Sequence, residues 1–249
     1  MGPPGGGSGP RSTCCPAVGH PVVSGSGYRS GVRTHIVWDW NGTLFHDMEA
    51  VVDASNAAFA SVGGEPLTIE QYRALYEIPI PRFYQRVLGF QPSGAEWERL
   101  DAAFQDRYAQ VSGDCALTEG AAELLAGWSA AGGTQSLLSM YAHEKLVPTV
   151  LRFGIERHFL RVDGRTGPSH GQKAASLVRH LAALGPAVDP ARTVLIGDAA
   201  DDALAALEVG AHAVLYTGGS HVRENLEPVG VPVVDSLAEA VELARKITA

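Results

Sequence analysis

The chain has 249 residues, of which 45% are hydrophobic and 18% charged, with a formal net charge of −8. This is enough apolar material for one large domain, or for a core with a smaller domain, and it offers no basic footprint for nucleic acid. No apolar run approaches the roughly twenty residues that a membrane-spanning helix needs.

Residues 1–33 are rich in Gly, Pro and Ser and show no period, which predicts a disordered leader; without a continuous apolar stretch it is not a secretory signal. Glycines at 25, 27 and 31 imitate a dinucleotide-binding loop, but they precede a strand instead of following one. Cys14, Cys15 and Cys115 form neither a disulfide framework nor a zinc pattern, so a reducing cytoplasm is the expected setting.

Thr34-His35-Ile36-Val37-Trp38 is a short apolar, β-branched run halted by Asn41-Gly42, which predicts a buried strand with Asp39 at its carboxyl end. In an open α/β sheet that edge is where ligands bind. From residue 48 the pattern becomes helical: Met48, Val52, Phe59 and Val62 share one face, and Gly63-Gly64 ends it. Capping boxes at Thr68-Ile69-Glu70-Gln71 and Ser93-Gly94-Ala95-Glu96 open two more helices, and Pro81 begins a short one that stops at Gly89. Residues 48–112 therefore read as entirely helical.

The remainder alternates. Helices are expected at 118–131, 142–153, 172–184, 201–209, 220–226 and 236–247, and strands at 134–140, 159–162, 193–196, 213–216 and 231–234. Repeated strand-helix units with short loops predict an α/β fold, a mainly parallel sheet with helices on both faces. The segment Thr193-Val194-Leu195-Ile196-Gly197-Asp198 ends a second buried strand in a carboxylate, and Asp202 follows four residues later. A carboxylate near a helix start suits the helix dipole, which accounts for Asp201 and Asp202 but not for Asp198. Asp39 and Asp198 should converge at one sheet edge, where their repulsion calls for a bound hard cation.

Asp39-Trp40-Asn41-Gly42-Thr43 resembles the first motif of the haloacid dehalogenase-like superfamily, an apolar strand followed by Asp-x-Asp-Gly-Thr, with asparagine in the second acidic position. Gly197-Asp198 with Asp202 is similar to the superfamily's Gly-Asp-x-x-x-Asp motif, and Ser139, at the end of a predicted strand, matches its phosphoryl-holding Ser or Thr. The third motif needs a lysine. Of the three in the chain, Lys246 suits the end of its helix and Lys145 lies on a solvated one, so Lys173, a cation at a helix start, is the candidate.

The resemblance implies a Rossmann-like parallel sheet core, residues 34–47 and 113–249, with a helical cap, residues 48–112, inserted after the first strand. It is most like the phosphoglycolate phosphatase and β-phosphoglucomutase branch. It implies a phosphatase in which Asp39 is the nucleophile, Ser139 and Lys173 hold the phosphoryl oxygens, and Mg²⁺ is bound by Asp39, the backbone carbonyl of Asn41, Asp198 and Asp202. Thr43 adds a hydroxyl beside the substrate.

Asn41 cannot transfer the proton that the family's aspartate does, and the titration range of His46 makes it the expected substitute. Arg82, in a cluster with Tyr76, Tyr84 and Arg86, is expected to pair with an anionic substrate group. The expected partner is a small phosphorylated metabolite, with no nucleic acid and no membrane, taken by a monomer or homodimer. The acidic pair argues against a metal-free 2-haloacid dehalogenase, and Asn41 against a phosphosugar mutase. A protein that binds a phosphorylated ligand without turnover is the remaining alternative.

Overall fold

A computed structural model of the chain describes residues 33–167 and 173–247. The expected leader, as far as residue 32, and the stretch 169–172 ahead of Lys173 lie outside the described residues.

The first strand, β1 (His35–Trp38), is buried along its length. After the Asp39 turn comes a two-residue strand, β2 (Phe45–His46), then four helices: α1 (Met48–Ala60), α2 (Ile69–Leu75), α3 (Ile80–Leu88) and α4 (Gly94–Val111). The chain returns through β3 (Ala116–Leu117), antiparallel to β2. The outgoing and incoming legs of the helical insert are thus hydrogen-bonded side by side. Thr68 and Ser93 cap α2 and α4 through the reciprocal side-chain bonds of a capping box.

The series continues with α5 (Ala121–Ala130), β4 (Thr134–Ala142), α6 (His143–Arg152), β5 (Val162–Arg165), α7 (Lys173–Leu184), β6 (Thr193–Gly197), α8 (Ala200–Glu208), β7 (His212–Tyr216), α9 (Arg223–Leu226), β8 (Val233–Val234) and α10 (Leu237–Ile247). Six strands form one sheet in the order β5-β4-β1-β6-β7-β8, every adjacent pair parallel. Strand β5 begins three residues later than its sequence pattern predicts. Phe159 packs into the core after a 3₁₀ turn while Leu160 faces solvent, so the apolar run there marks packing and not pairing.

Alternation along β1 assigns the two faces. Ile36 and Trp38 join Leu137, Val194 and Ile196 in a layer with residues of α5, α6 and α10, whereas Val37 joins Leu138 and Leu195 in a layer with α7 and α8. The insert has its own core of Val52, Phe59, Tyr72, Phe83, Tyr84 and Leu100. A fully buried Phe or Leu stabilises by about 1.5–3 kcal/mol, so such a cluster helps to hold the four helices together. Among the described residues no helix is long and apolar enough to cross a membrane.

Candidate active site

Strands β1 and β6 are neighbours with Trp38 opposite Ile196, and the Asp39 amide donates to the Ile196 carbonyl at 2.9 Å. Their carboxyl ends therefore bring Asp39 and Asp198 together at the central edge of the sheet. Asp202, from the first turn of α8, completes the group: one oxygen from each of the three lies within 4.8 Å of the others. All three are buried.

The turn between them is built to admit these side chains. Gly42 has φ +70°, and a Cβ there would lie 2.7 Å from Asp198 Oδ2. A Cβ on Gly197 would fall 2.2 Å from the Asp202 carboxylate, and one on Gly219 would fall 2.2 Å from Asp198 Oδ2. Trp40, fully buried, stacks on Phe45 with ring centroids 5.1 Å apart and anchors the turn from below. The Ser220 amide and hydroxyl both donate to Asp198 Oδ2 at 2.6 Å, and Thr43 Oγ1 approaches Asp198 Oδ1 at 3.4 Å.

Lys173 opens α7 and is buried. Its ammonium forms ion pairs with Asp39 Oδ1 and Asp202 Oδ1. Burial works against that charge, but the Asp202 and Asp39 carboxylates outweigh it and raise the lysine above its ordinary pKa. On the acidic side, burial raises Asp39 well above the usual carboxylate range, against the pull of Lys173. Burial, with repulsion from Asp202, pushes Asp198 up to about 6.

Two carboxylates strained in this way next to one committed lysine can accommodate a further cation, and an oxygen-only donor set fits a hard divalent metal. Both oxygens of Asp202 are engaged, one by Lys173 and the other by the Ala199 amide at 3.0 Å.

Ser139, on β4, is buried at the same edge, and its hydroxyl accepts the Tyr141 amide at 3.0 Å. Asp39, Ser139, Lys173, Asp198 and Asp202 all line a single cleft of about 360 Å³ between the sheet and the helical insert. Thr43 is fully buried beneath it, turned to Asp198 and not into the cleft.

Besides the placing of Thr43 beside the substrate, two expectations need correction. His46 does not enter the cleft: in the extended β2 segment Phe45 and Asp47 point inward, which turns His46 outward to solvent opposite Ala116. Arg82 is exposed on α3, where Phe83 and Tyr84 take the inner face. The arginine that does line the cleft is Arg165, at the end of β5.

In place of His46 stands Asp47. Its carboxylate is buried against Asn41, accepting Asn41 Nδ2 at 2.7 Å, the Tyr108 hydroxyl at 2.6 Å and the Gly42 amide at 2.9 Å. The only cue to Asp47 in the sequence is that Asn41 replaces an acid a few residues away. Tyr108, 61 residues further on, gave no signal.

The haloacid dehalogenase-like hydrolase family profile matches residues 34–210. The chain is similar to phosphoglycolate phosphatase of Synechococcus elongatus, 28% identical over 77% of this chain and 87% of the relative. It is also similar to phosphoglycolate phosphatase of Chromobacterium violaceum, 25% identical over 84% of this chain and 96% of that one. Among solved structures, a predicted phosphatase from Clostridium acetobutylicum superposes with a TM-score of 0.75 over 87% of this chain and 100% of its own, at 14% identity, a likeness of fold.

Proposed function

Because the chain belongs to the haloacid dehalogenase-like hydrolase family, we propose that it is a Mg²⁺-dependent phosphomonoesterase that hydrolyses a small phosphorylated metabolite through an aspartyl-phosphate on Asp39. The observation that carries this is the buried Lys173 ammonium held between Asp39 and Asp202, with Asp198 alongside. The relatives named phosphoglycolate phosphatase support the same reaction class.

In this mechanism an oxygen of Asp39 attacks phosphorus in line, the ester P–O bond breaks, and the leaving oxygen departs with the electron pair as an alkoxide or phenolate that takes its proton from water. Lys173 opposes the charge on the phosphoryl oxygens, and the Ser139 hydroxyl donates to one of them. Asp202 keeps Lys173 in place, while Thr43 and Ser220 orient Asp198. Water then attacks phosphorus of the acyl phosphate, releasing phosphate and restoring Asp39. Magnesium would be held by Asp39, the Asn41 main-chain carbonyl and Asp198, with Asp202 behind, and supplies positive charge against the transferred group.

Asn41 neither gives nor takes a proton, which costs about 10²- to 10⁴-fold for a leaving group that needs protonation and little for one that departs unaided. Helices α1–α4 act as a cap on the core, with the β2–β3 pair as its stem. The setting is the cytoplasm, and the active unit is a monomer or homodimer.

The test is hydrolysis of p-nitrophenyl phosphate with and without Mg²⁺, by the parent and by Asp39→Asn. Metal-dependent turnover that falls to background in the variant is expected. Turnover that survives Asp39→Asn, or that ignores a chelator, contradicts the proposal.

A further inference from the structure

We infer that the organic part of this phosphate ester is uncharged and largely apolar, ring-bearing or branched, and that the site discriminates against a substrate carrying a second anion. This rests on the phosphatase proposal and goes beyond it to the substrate class.

The cleft has two unlike walls. The sheet edge presents the carboxylates, Lys173 and Ser139; the insert presents mainly Met48, Val51, Tyr76, Ile78, Ile80 and Phe104. Tyr72, Gln105 and Tyr108 are further members of that wall, polar but uncharged. No lysine, arginine or histidine of the insert is among the described residues that line the cleft. The insert's cations are turned elsewhere: Arg107 pairs with Asp53 at 2.7 Å, Arg73 bonds the Thr217 carbonyl, Arg82 and Arg86 are exposed on α3, and Arg99 is exposed on α4.

A phosphate placed against Asp39 would therefore extend its ester group onto hydrocarbon and aromatic surface. A carboxylate against that wall would lose water with no lysine, arginine or histidine of the insert to replace it, whereas an apolar group gains from burial. The charge around it is also unfavourable to a second anion, since Asp47, Asp198 and Asp201 face the same space. The one arginine on the cleft among the described residues, Arg165, comes from the core and donates its Nε to the Met140 carbonyl at 3.1 Å and its Nη1 to the Gly167 carbonyl. Ile78 and Ile80 stand at the mouth, 43% and 39% exposed, so they are positioned to cover a ligand that enters. The cleft is near the small end of ligand pockets, which suits one ring or a short branched chain.

The test compares kcat/KM for benzyl phosphate and phosphoglycolate with Mg²⁺ present. Both release an alkoxide, so the missing acid at position 41 handicaps them alike and the difference reports the cleft wall. At least tenfold preference for benzyl phosphate, expressed mainly in KM, is expected. Ile80→Lys, with Ile78→Lys as a second variant, should narrow that preference by improving phosphoglycolate; both positions are partly exposed and tolerate the change.

Equal or better use of phosphoglycolate overturns the inference while leaving the phosphatase proposal standing. If Arg165→Ala then removes that activity selectively, the carboxylate is read by Arg165 instead. Failure to hydrolyse either ester or p-nitrophenyl phosphate overturns the phosphatase proposal and this inference with it.

Discussion

Asn41 donates through Nδ2 to Asp47 and, at 3.0 Å, to the Tyr108 hydroxyl. A carboxylate only accepts, so the amide orientation is settled by its neighbour. The pair looks like an exchange of amide and carboxylate between positions 41 and 47, and it changes what a restoring substitution would do. Asn41→Asp alone sets two carboxylates in contact where one must stay protonated or the local bonds must break. We expect that variant to lose thermal stability and to gain little turnover.

Asn41→Asp combined with Asp47→Asn keeps one amide and one carboxylate, and should hydrolyse an alkyl phosphate about 10²-fold faster than the parent, in line with the usual contribution of a general acid. A steady-state comparison of the three proteins checks this; if the single variant already gains the full factor, the contact has no such role. Asp47 could have been suspected from the sequence, because the acid missing at 41 invites a search nearby. Arg82 could not have been judged from sequence, because proximity to prolines and tyrosines does not say which face of α3 turns inward.

At the scale of elements, the strands that carry Asp39 and Asp198 were legible because buried β-branched runs end there in Asn-Gly and Gly-Asp. The β2–β3 pair was not, since two-residue strands leave no alternation to read. Nor was the polar chain that crosses β1, β4, β5 and α7. Ser136 Oγ lies 2.8 Å from His35 Nε2 and 2.7 Å from His180 Nε2, and His180 Nδ1 meets Asp163 at 2.8 Å. Burial, reinforced by His180, lowers the His35 pKa from 6.5 to about 4, and burial lowers His180 as well.

Folding thus favours the neutral rings. The part of the stability that His35 contributes is at its full value above pH 6.5 and is lost as the pH falls from there toward 4. At roughly 1.4 kcal/mol per pKa unit that contribution is about 3 kcal/mol. Over this range the urea midpoint of the parent should drop relative to that of His35→Asn, since the buried carboxylates titrate alike in both. Parallel slopes for the two proteins would contradict the assignment.

Over the whole molecule, a parallel sheet places its polar chemistry at one edge, under a helical insert with its own core. That arrangement gathers a cluster of buried carboxylates in a chain already at −8 net charge, with Lys173 as the balancing cation. Lys173→Met leaves Asp39 and Asp202 buried and unpaired, at an expected cost of about 3–5 kcal/mol in urea unfolding. Added Mg²⁺ should recover part of that loss in the variant, and a variant as stable as the parent would show that the pair is not holding the fold.

The central claim is that Asp39 takes up a phosphoryl group in a site that cannot readily return it to water, because position 41 lacks a base. Rapid-quench kinetics with p-nitrophenyl phosphate and Mg²⁺ should therefore show a burst approaching one p-nitrophenolate per site, then a slower steady state. Acid-quenched protein should carry the phosphoryl group on Asp39. Linear release from the first turnover with Asp39 unmodified, or a phosphoryl group found on another residue, would contradict it.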